Sequence, residues 1–408
     1  MDIRSEFPAL DRTVYGRPLV YFDNAATAQR PRAVLEIQQR LSVEANANVH
    51  RAIHYLSGEA TAAYEAGREA VRAFINAPAR ENVVLTSGTT ASINLVATCF
   101  CQRFVREGDS ILLSEAEHHS NLVPWQLACQ RHGATLEVLP VDEAGELSVA
   151  ELDRRLANAQ GRIKLLAVAH VSNILGVVNP VEDIVRTAHR HNVPVLLDGA
   201  QGIVHARVDV QALDCDFYVF SGHKIYAPTG TGVLYGKREW LEQMPPYMGG
   251  GEMIESVSFQ QSTWAPLPLK FEAGTPNFVA AACLAPALDC ARTMAEDPAL
   301  QDTQRAMRDY LLAELPKIEG LRLYGTPRES DRKIPLFSFT VEGAFPADLA
   351  QILDKMGFAV RSGHMCAEPL LRRYGQTSMV RVSLAPYNTL AECEAFVQAL
   401  RRAVNMLR

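Results

Sequence analysis

The chain has little of what would suit it to nucleic acid, export or a membrane. Its 40 lysines and arginines are outnumbered by 46 aspartates and glutamates, giving a formal net charge of −6. No basic excess is left to neutralise the phosphates of a polynucleotide, so nucleic acid is not an expected partner. The opening "MDIRSEFPALDRTVYGRP" carries Asp2, Arg4 and Glu6 where an export signal needs an unbroken apolar core, and a cytoplasmic protein is expected. The longest apolar run, "FVAAACLAPAL" (278–288), falls short of the roughly 18 residues of a membrane span and contains Pro286. No internal repeat or low-complexity linker interrupts the sequence. Cys99, Cys101, Cys129, Cys215, Cys283, Cys290, Cys366 and Cys393 form no CxxC pair. Without an export signal they predict reduced thiols, most of them core packing, rather than a disulfide framework.

What is present is an ordinary globular composition, 48% hydrophobic and 21% charged over 408 residues, long enough for about two domains. Seven short β-branched runs read as strands: "NVVLT" (82–86), "SILLS" (110–114), "TLEVLPV" (135–141), "IKLLAVA" (163–169), "VPVLL" (193–197), "FYVFS" (217–221) and "GVLYG" (232–236). Amphipathic stretches such as "VEDIVRTAHRHN" separate most of them. This alternation predicts an α/β domain around a mostly parallel sheet buried on both faces, with functional groups at the strands' carboxyl ends. Beyond about Ala291 the texture changes. A helical "DTQRAMRDYLLAELPKI", then "LRLYG", "IPLFSFTV", "FAVRSG" and "MVRVSL", then a last helix, predict a smaller α+β unit. The expected division is 16–290 and 291–408, with residues 1–15 packing on the smaller unit.

Three local features carry chemistry. In "FSGHKIYAPTGTGVLYGK", Lys224 follows a strand and is bracketed by small, hydrogen-bonding residues, which suits a Schiff-base amine better than a solvated charge. "VPVLLDGAQG" ends a buried strand on Asp198, where a carboxylate could pair with the protonated pyridine nitrogen of pyridoxal 5'-phosphate (PLP). "TSGTTASIN" places Gly88, Thr89 and Thr90 where a strand gives way to a helix, a site for an anion such as a phosphate. Singly, each has a duller reading: a loop lysine, a helix cap, N-capping threonines. Together they make a PLP constellation. "RSGHMCAEP" raises a further question, because free cysteine is ordinarily core packing and Cys366 sits among polar, small and charged neighbours.

Across nearly its whole length the chain resembles the Suf-type cysteine desulfurases, the group II branch that includes selenocysteine lyases, among the fold-type I PLP enzymes. "YFDNAATAQRP", "VHRAIHYLS", "TSGTTASIN", "EHHSNLVPWQ", "HVSNILG", "DGAQ", "DCDFYVFSGHKIYAPTG", "FEAGTPN", "RSGHMCAEPL" and "RVSLAPYNT" occur in the family's order. The resemblance implies an aspartate-aminotransferase-like α/β fold with a seven-stranded sheet. It implies that Lys224 carries PLP and shuttles the Cα proton, that Asp198 pairs with the pyridine nitrogen and that Gln201 contacts the ring's phenolic oxygen. Thr89, Thr90, Ser221 and His223 are expected at the cofactor phosphate, with Thr275 reaching it from a second subunit. His118 would stack on the ring, Arg381 and Asn173 would clamp the substrate carboxylate, and Cys366 would accept sulfur.

The implied reaction converts L-cysteine to L-alanine with a persulfide on Cys366, for iron–sulfur cluster assembly. Implied partners are a second copy of the chain and a small sulfur-acceptor protein of the Suf system. A selenocysteine lyase acting on L-selenocysteine shares every residue, an aminotransferase lacks a use for Cys366, and a silent PLP-bound scaffold would not need the full set. Two positions depart from the family: Met365 stands where a second histidine is usual, and Ala91 where a glutamate is usual. "GGGEMIESVSFQQSTWAPLPLKFEAGTPN" is similar to the group II hairpin near the dimer interface. His118 with His119, or His189 with His191, could attract zinc, but no cysteine or carboxylate lies at ligand spacing along the chain, and no metal is expected.

Overall fold

All seven apolar runs pair into one sheet in the computed structural model, which describes residues 3–327 and 329–408. Its strands are β1 (Val83–Thr86), β2 (Ser110–Ser114), β3 (Thr135–Leu139), β4 (Ile163–Ala169), β5 (Val195–Asp198), β6 (Phe217–Ser221) and β7 (Gly232–Gly236). They lie in the order β1-β7-β6-β5-β4-β2-β3. From β3 to β6 every pairing is parallel, while β7 runs antiparallel to both its neighbours.

Successive strand residues point to opposite faces, and both faces are apolar. Leu112, Leu166, Val168 and Leu197 enter one core, whereas Ile111, Leu113, Leu165, Ala167 and Leu196 enter the other. This two-sided burial explains why the strands read as continuous apolar runs. The edge strand β3 is the exception, being half-exposed along most of its length.

A second, antiparallel sheet follows, in the order Leu321–Tyr324, Leu336–Val341, Met379–Ser383, Arg361–Gly363. The helices Pro298–Glu314, Pro346–Lys355 and Leu390–Leu407 close a third core over it. The last of these begins in a reciprocal cap between Thr389 and Glu392.

Two sets of contacts cross the expected division. Val20 and Tyr21 pair with Phe358 and Ala359, Asp23 bridges to Ser383, and Phe22 is buried in the core of the second sheet. Residues 20–23 therefore pack with the smaller unit although they fall inside 16–290, because a two-residue strand has no period of its own to read. The N-terminal segment touches both units: Arg4 pairs with Glu392 at 2.8 Å, while Phe7 packs on Tyr226 and Tyr387.

The apolar run at 278–288 also proves longer in space. Helix continues from Phe278 to Glu296, interrupted at Cys283, and is long and apolar enough to cross a membrane. Half of its most apolar window is buried, and Ala281 and Ala282 close on Gly67 of the helix Tyr55–Phe74, which is what a core helix needs. The hairpin expected within 249–277 forms between Ile254–Val257 and Ser262–Trp264.

Candidate active site

The carboxyl ends of the parallel strands open onto a cavity of about 210 Å³. Asp198 is the last residue of β5 and Ser221 the last of β6. Thr89 opens the sixteen-residue helix after β1, His118 lies just past β2, and Asn173 lies just past β4. Lys224 follows β6 directly. All six line the cavity, with Thr90, Gln201, His223, Arg381, Arg361, Met365 and Cys366. The second sheet supplies one wall, through Arg361 and Arg381, which sit opposite each other on adjacent strands.

One end of the cavity is built for an anion. Thr89 donates its backbone N–H and brings its hydroxyl to Ser221 Oγ, at 2.8 and 2.7 Å, while Thr90 and Ser120 join hydroxyls at 2.8 Å. Backbone has to pass backbone here: a Cβ on Gly232 would lie 2.3 Å from Gly88 Cα, and Gly88 itself has φ +152°. Glycine is required at both positions. His223 contacts Thr27 Oγ1 at 3.2 Å, and burial pulls its imidazole down to about 4.

Deeper in, charge is incompletely paired. Asp198 is buried and accepts one hydrogen bond among the described residues, from Ala200 N–H at 2.9 Å. Desolvation raises its carboxyl, with Lys224 acting in the opposite sense. Lys224 is open to the cavity but walled off from bulk water, which lowers its amine to about 8. His118 accepts Ser120 N–H on Nδ1 at 3.0 Å. Burial first, then the Lys224 amine, brings its imidazole down to about 3, so it is neutral at physiological pH. A carboxylate with a spare lone pair facing an amine and a neutral imidazole, beside a hydroxyl-lined cup, fits a protonated pyridine ring, an aldehyde carbon and a phosphate. PLP therefore fits these residues, with Lys224 as its attachment point.

Arg381 is 3% exposed, yet its Nε has no partner among the described residues. Its other nitrogens reach the Asn173 carbonyl at 2.9 Å and Asp23 at 3.1 Å. Arg361 approaches the same aspartate at 3.7 Å. Two guanidinium groups thus share a single carboxylate, and because like charges directly opposite on paired strands are destabilising, a further anion would be favoured here. A substrate carboxylate would supply it.

Cys366 sits at the cavity mouth on a loop held in an uncommon backbone state. Met365 and Cys366 have φ of 50° and 56°, a left-handed conformation costing non-glycine residues roughly 1–2 kcal/mol each. Three contacts hold it. His119 N–H donates to the Cys366 carbonyl at 2.7 Å, Asn173 Nδ2 to the Met365 carbonyl at 2.8 Å, and Glu368 N–H to His119 Nε2 at 3.2 Å. Met365 is buried in the larger core, so the residue replacing the usual histidine anchors the loop by packing.

Several placements go beyond the sequence reading. Asn173 lines the cavity while its amide donates to the Met365 carbonyl of the cysteine loop. Thr275 is exposed and does not line this cavity, and Gln201 donates to the Ala25 carbonyl at 2.8 Å. Asp23, Arg361, His119 and Glu117 carry no expected role, although they stand within "YFDNAAT", "RSGHMC" and "EHH". Glu117 is fully enclosed and receives Asn121 Nδ2 at 2.6 Å, Ala169 N–H at 3.0 Å and the Ser114 hydroxyl. Burial raises its carboxyl to about 7. Since Ala169 is the strand partner of Asp198, Glu117 braces the end of β4 that backs the cavity. Ala91, the other departure, lines a second cavity with Thr86, Ser87 and Thr231.

Comparison with known proteins agrees with this chemistry. Residues 20–396 match the class-V aminotransferase family. A cysteine desulfurase of Cronobacter sakazakii is 46% identical, over 99% of this chain and 98% of its own. A probable cysteine desulfurase of Vibrio cholerae is 42% identical with the same coverage. Among solved structures, the cysteine desulfurase CsdA of Escherichia coli superposes with a TM-score of 0.89 at 40% identity, and that of Thermococcus onnurineus with 0.91 at 35%. Both alignments cover 99% of this chain and 98% of the other.

Proposed function

Because the chain belongs to the class-V aminotransferase family as a PLP-dependent cysteine desulfurase, we propose that it passes the sulfur of L-cysteine to Cys366 as a persulfide. The destination we propose is a small acceptor protein of the Suf type, serving iron–sulfur cluster assembly in the cytoplasm. The carrying observation is that Cys366, fixed by His119 and Asn173, shares one cavity with Lys224, Asp198 and Arg381. All eight cysteines are free, in keeping with a reducing compartment.

Bound PLP supplies an electron sink for negative charge developing at the substrate Cα. The residues divide the rest. Arg381, with its unpartnered Nε, and Arg361 orient the substrate carboxylate. The Lys224 amine, lowered toward neutrality, takes the Cα proton and returns it. Asp198 would hold the ring-nitrogen proton, and Thr89, Ser221 and His223 would receive the phosphate. His118, held neutral, would face the ring from the cavity wall and could relay a proton. The Cys366 thiolate then forms a bond to the substrate sulfur as the Cβ–S bond breaks, and protonation of the three-carbon remainder yields alanine. Thr275, exposed on this chain, is assigned to the partner subunit's phosphate in a homodimer.

Mass spectrometry after L-cysteine is the direct test: one added sulfur on Cys366 together with released alanine is expected. Cys366→Ser should bind L-cysteine without desulfurating it. Sulfur carried on any other residue would overturn the assignment. Retained activity of Cys366→Ser on L-selenocysteine, whose selenium leaves more readily, would indicate selenocysteine lyase activity as well.

A further inference from the structure

Along the chain no cysteine stands at ligand spacing from the paired histidines 118 and 119. The fold supplies one. His119, His364 and Cys366 each bring a donor atom to within 4.8 Å of the other two. The His119 and His364 rings lie stacked, 5.5 Å apart and inclined by 30°. We propose that these three side chains form a binding site for a thiophilic divalent cation, Zn²⁺ above all, and that its occupancy caps the sulfur-accepting thiol and halts turnover.

The donor set argues for the cation. Thiolate and imidazole together select zinc over magnesium or calcium. Three protein ligands with one position left to water are an ordinary zinc arrangement. Zinc at its usual bond lengths would place these donors roughly 3.3 to 3.6 Å apart, so the side chains must close by about 1 Å. His364 is exposed and Cys366 half-buried, which leaves them room to turn. Both rings are already presented unprotonated at one nitrogen: His364 Nδ1 accepts Cys366 N–H at 3.1 Å, and His119 Nε2 accepts Glu368 N–H at 3.2 Å. A cation takes these lone pairs in exchange for two backbone N–H groups at the cavity mouth, which water can satisfy. Binding transfers the thiol proton of Cys366 to solvent and moves no electrons.

The halted turnover rests on Cys366 being the sulfur acceptor; the binding does not. Calorimetric titration of the PLP-loaded enzyme with Zn²⁺, using a phosphine as reductant and no L-cysteine, should show one high-affinity site per chain. Cys366→Ser and His364→Ala should each weaken it by more than about tenfold, the upper range for losing even an outer partner being about a hundredfold. Co²⁺ in place of zinc should give the visible bands of a tetrahedral site and a thiolate charge-transfer band that Cys366→Ser abolishes. Equal zinc affinity in wild type and both variants, or no binding, would overturn the site. Alanine release at buffered free Zn²⁺ should fall along the same binding curve. Full turnover of the zinc-loaded form would overturn the capping.

Discussion

Two carboxylates are buried near the same sheet and finished in opposite ways. Glu272 accepts four hydrogen bonds: Arg68 reaches it twice, at 2.6 and 2.9 Å, the Tyr64 hydroxyl at 2.8 Å and Leu85 N–H at 2.7 Å. Asp198 accepts one, beside an amine that donates none among the described residues. The first arrangement ties the helix Tyr55–Phe74 to β1 and leaves nothing unmet, which marks a joint of the fold. The second leaves donor and acceptor capacity facing a cavity, a state that protein interiors avoid unless a ligand completes it. The contrast predicts that the two clusters fail differently when cut.

Lys224→Ala should show the largest effect, and on activity alone. It removes the PLP attachment point and the proton carrier together, so alanine release from L-cysteine should vanish. Thermal stability of the cofactor-free protein should hold or rise, because the deleted amine is desolvated and unpaired. Residual turnover at the wild-type rate would remove Lys224 from the mechanism. Glu272→Ala should do the reverse. It leaves the Arg68 guanidinium, 1% exposed, with Glu65 at 3.1 Å and the Val83 carbonyl at 2.8 Å as remaining partners, so of the about 3–5 kcal/mol for breaking a buried pair on one side the lower end is expected. Denaturant midpoints should fall accordingly, while Arg68→Met combined with Glu272→Leu should recover much of the loss. A midpoint unchanged in Glu272→Ala would mean that water replaces the joint.

Which parts could be read from sequence follows from the same distinction between local and distant partners. The inner strands of the main sheet are legible because burial on both faces writes a strand as a near-continuous apolar run, whereas the half-exposed edge strand β3 is legible from its β-branched Thr135 and Val138. Asp198 and Ser221 were legible because each ends such a run. Asp23 was not, since its partner Arg381 lies 358 residues away and a carboxylate near the N-terminus carries no mark of it. His119 is not legible as a neighbour of the cysteine loop for the same reason: His364 and Cys366 come near it only through the loop that Asn173 and His119 hold.

Arg381→Ala probes the border between the two kinds of cluster, since Arg381 both holds Asp23 and offers a free Nε. The substrate contact is a charge-assisted carboxylate pair of about 1.5–3 kcal/mol, so KM for L-cysteine should rise about tenfold or more. A KM unchanged in that variant would make Arg381 a second joint, like Arg68.

His170 gives the smallest and most selective test. It sits just beyond β4 behind the cavity, 4% exposed, with the Tyr218 hydroxyl 3.1 Å from its Nδ1. A Cβ on Gly202 would lie 2.5 Å from that same nitrogen, so the ring has no slack in which to admit water. Burial alone lowers its imidazole from 6.5 to about 4. Above pH 6.5 both the folded and the unfolded chain hold this group neutral, and it adds no pH dependence. As pH falls toward 4 the unfolded chain takes up a proton that the folded chain refuses, so stability is lost through that window. For a pKa moved from 6.5 to about 4, the loss between pH 7.5 and pH 5 is about 2 kcal/mol. His170→Gln removes the titrating group, so urea unfolding of that variant should fall less steeply with acid than wild type by this amount. Identical slopes would mean that His170 protonates in place, and that the floor beneath the cofactor cavity is open to water.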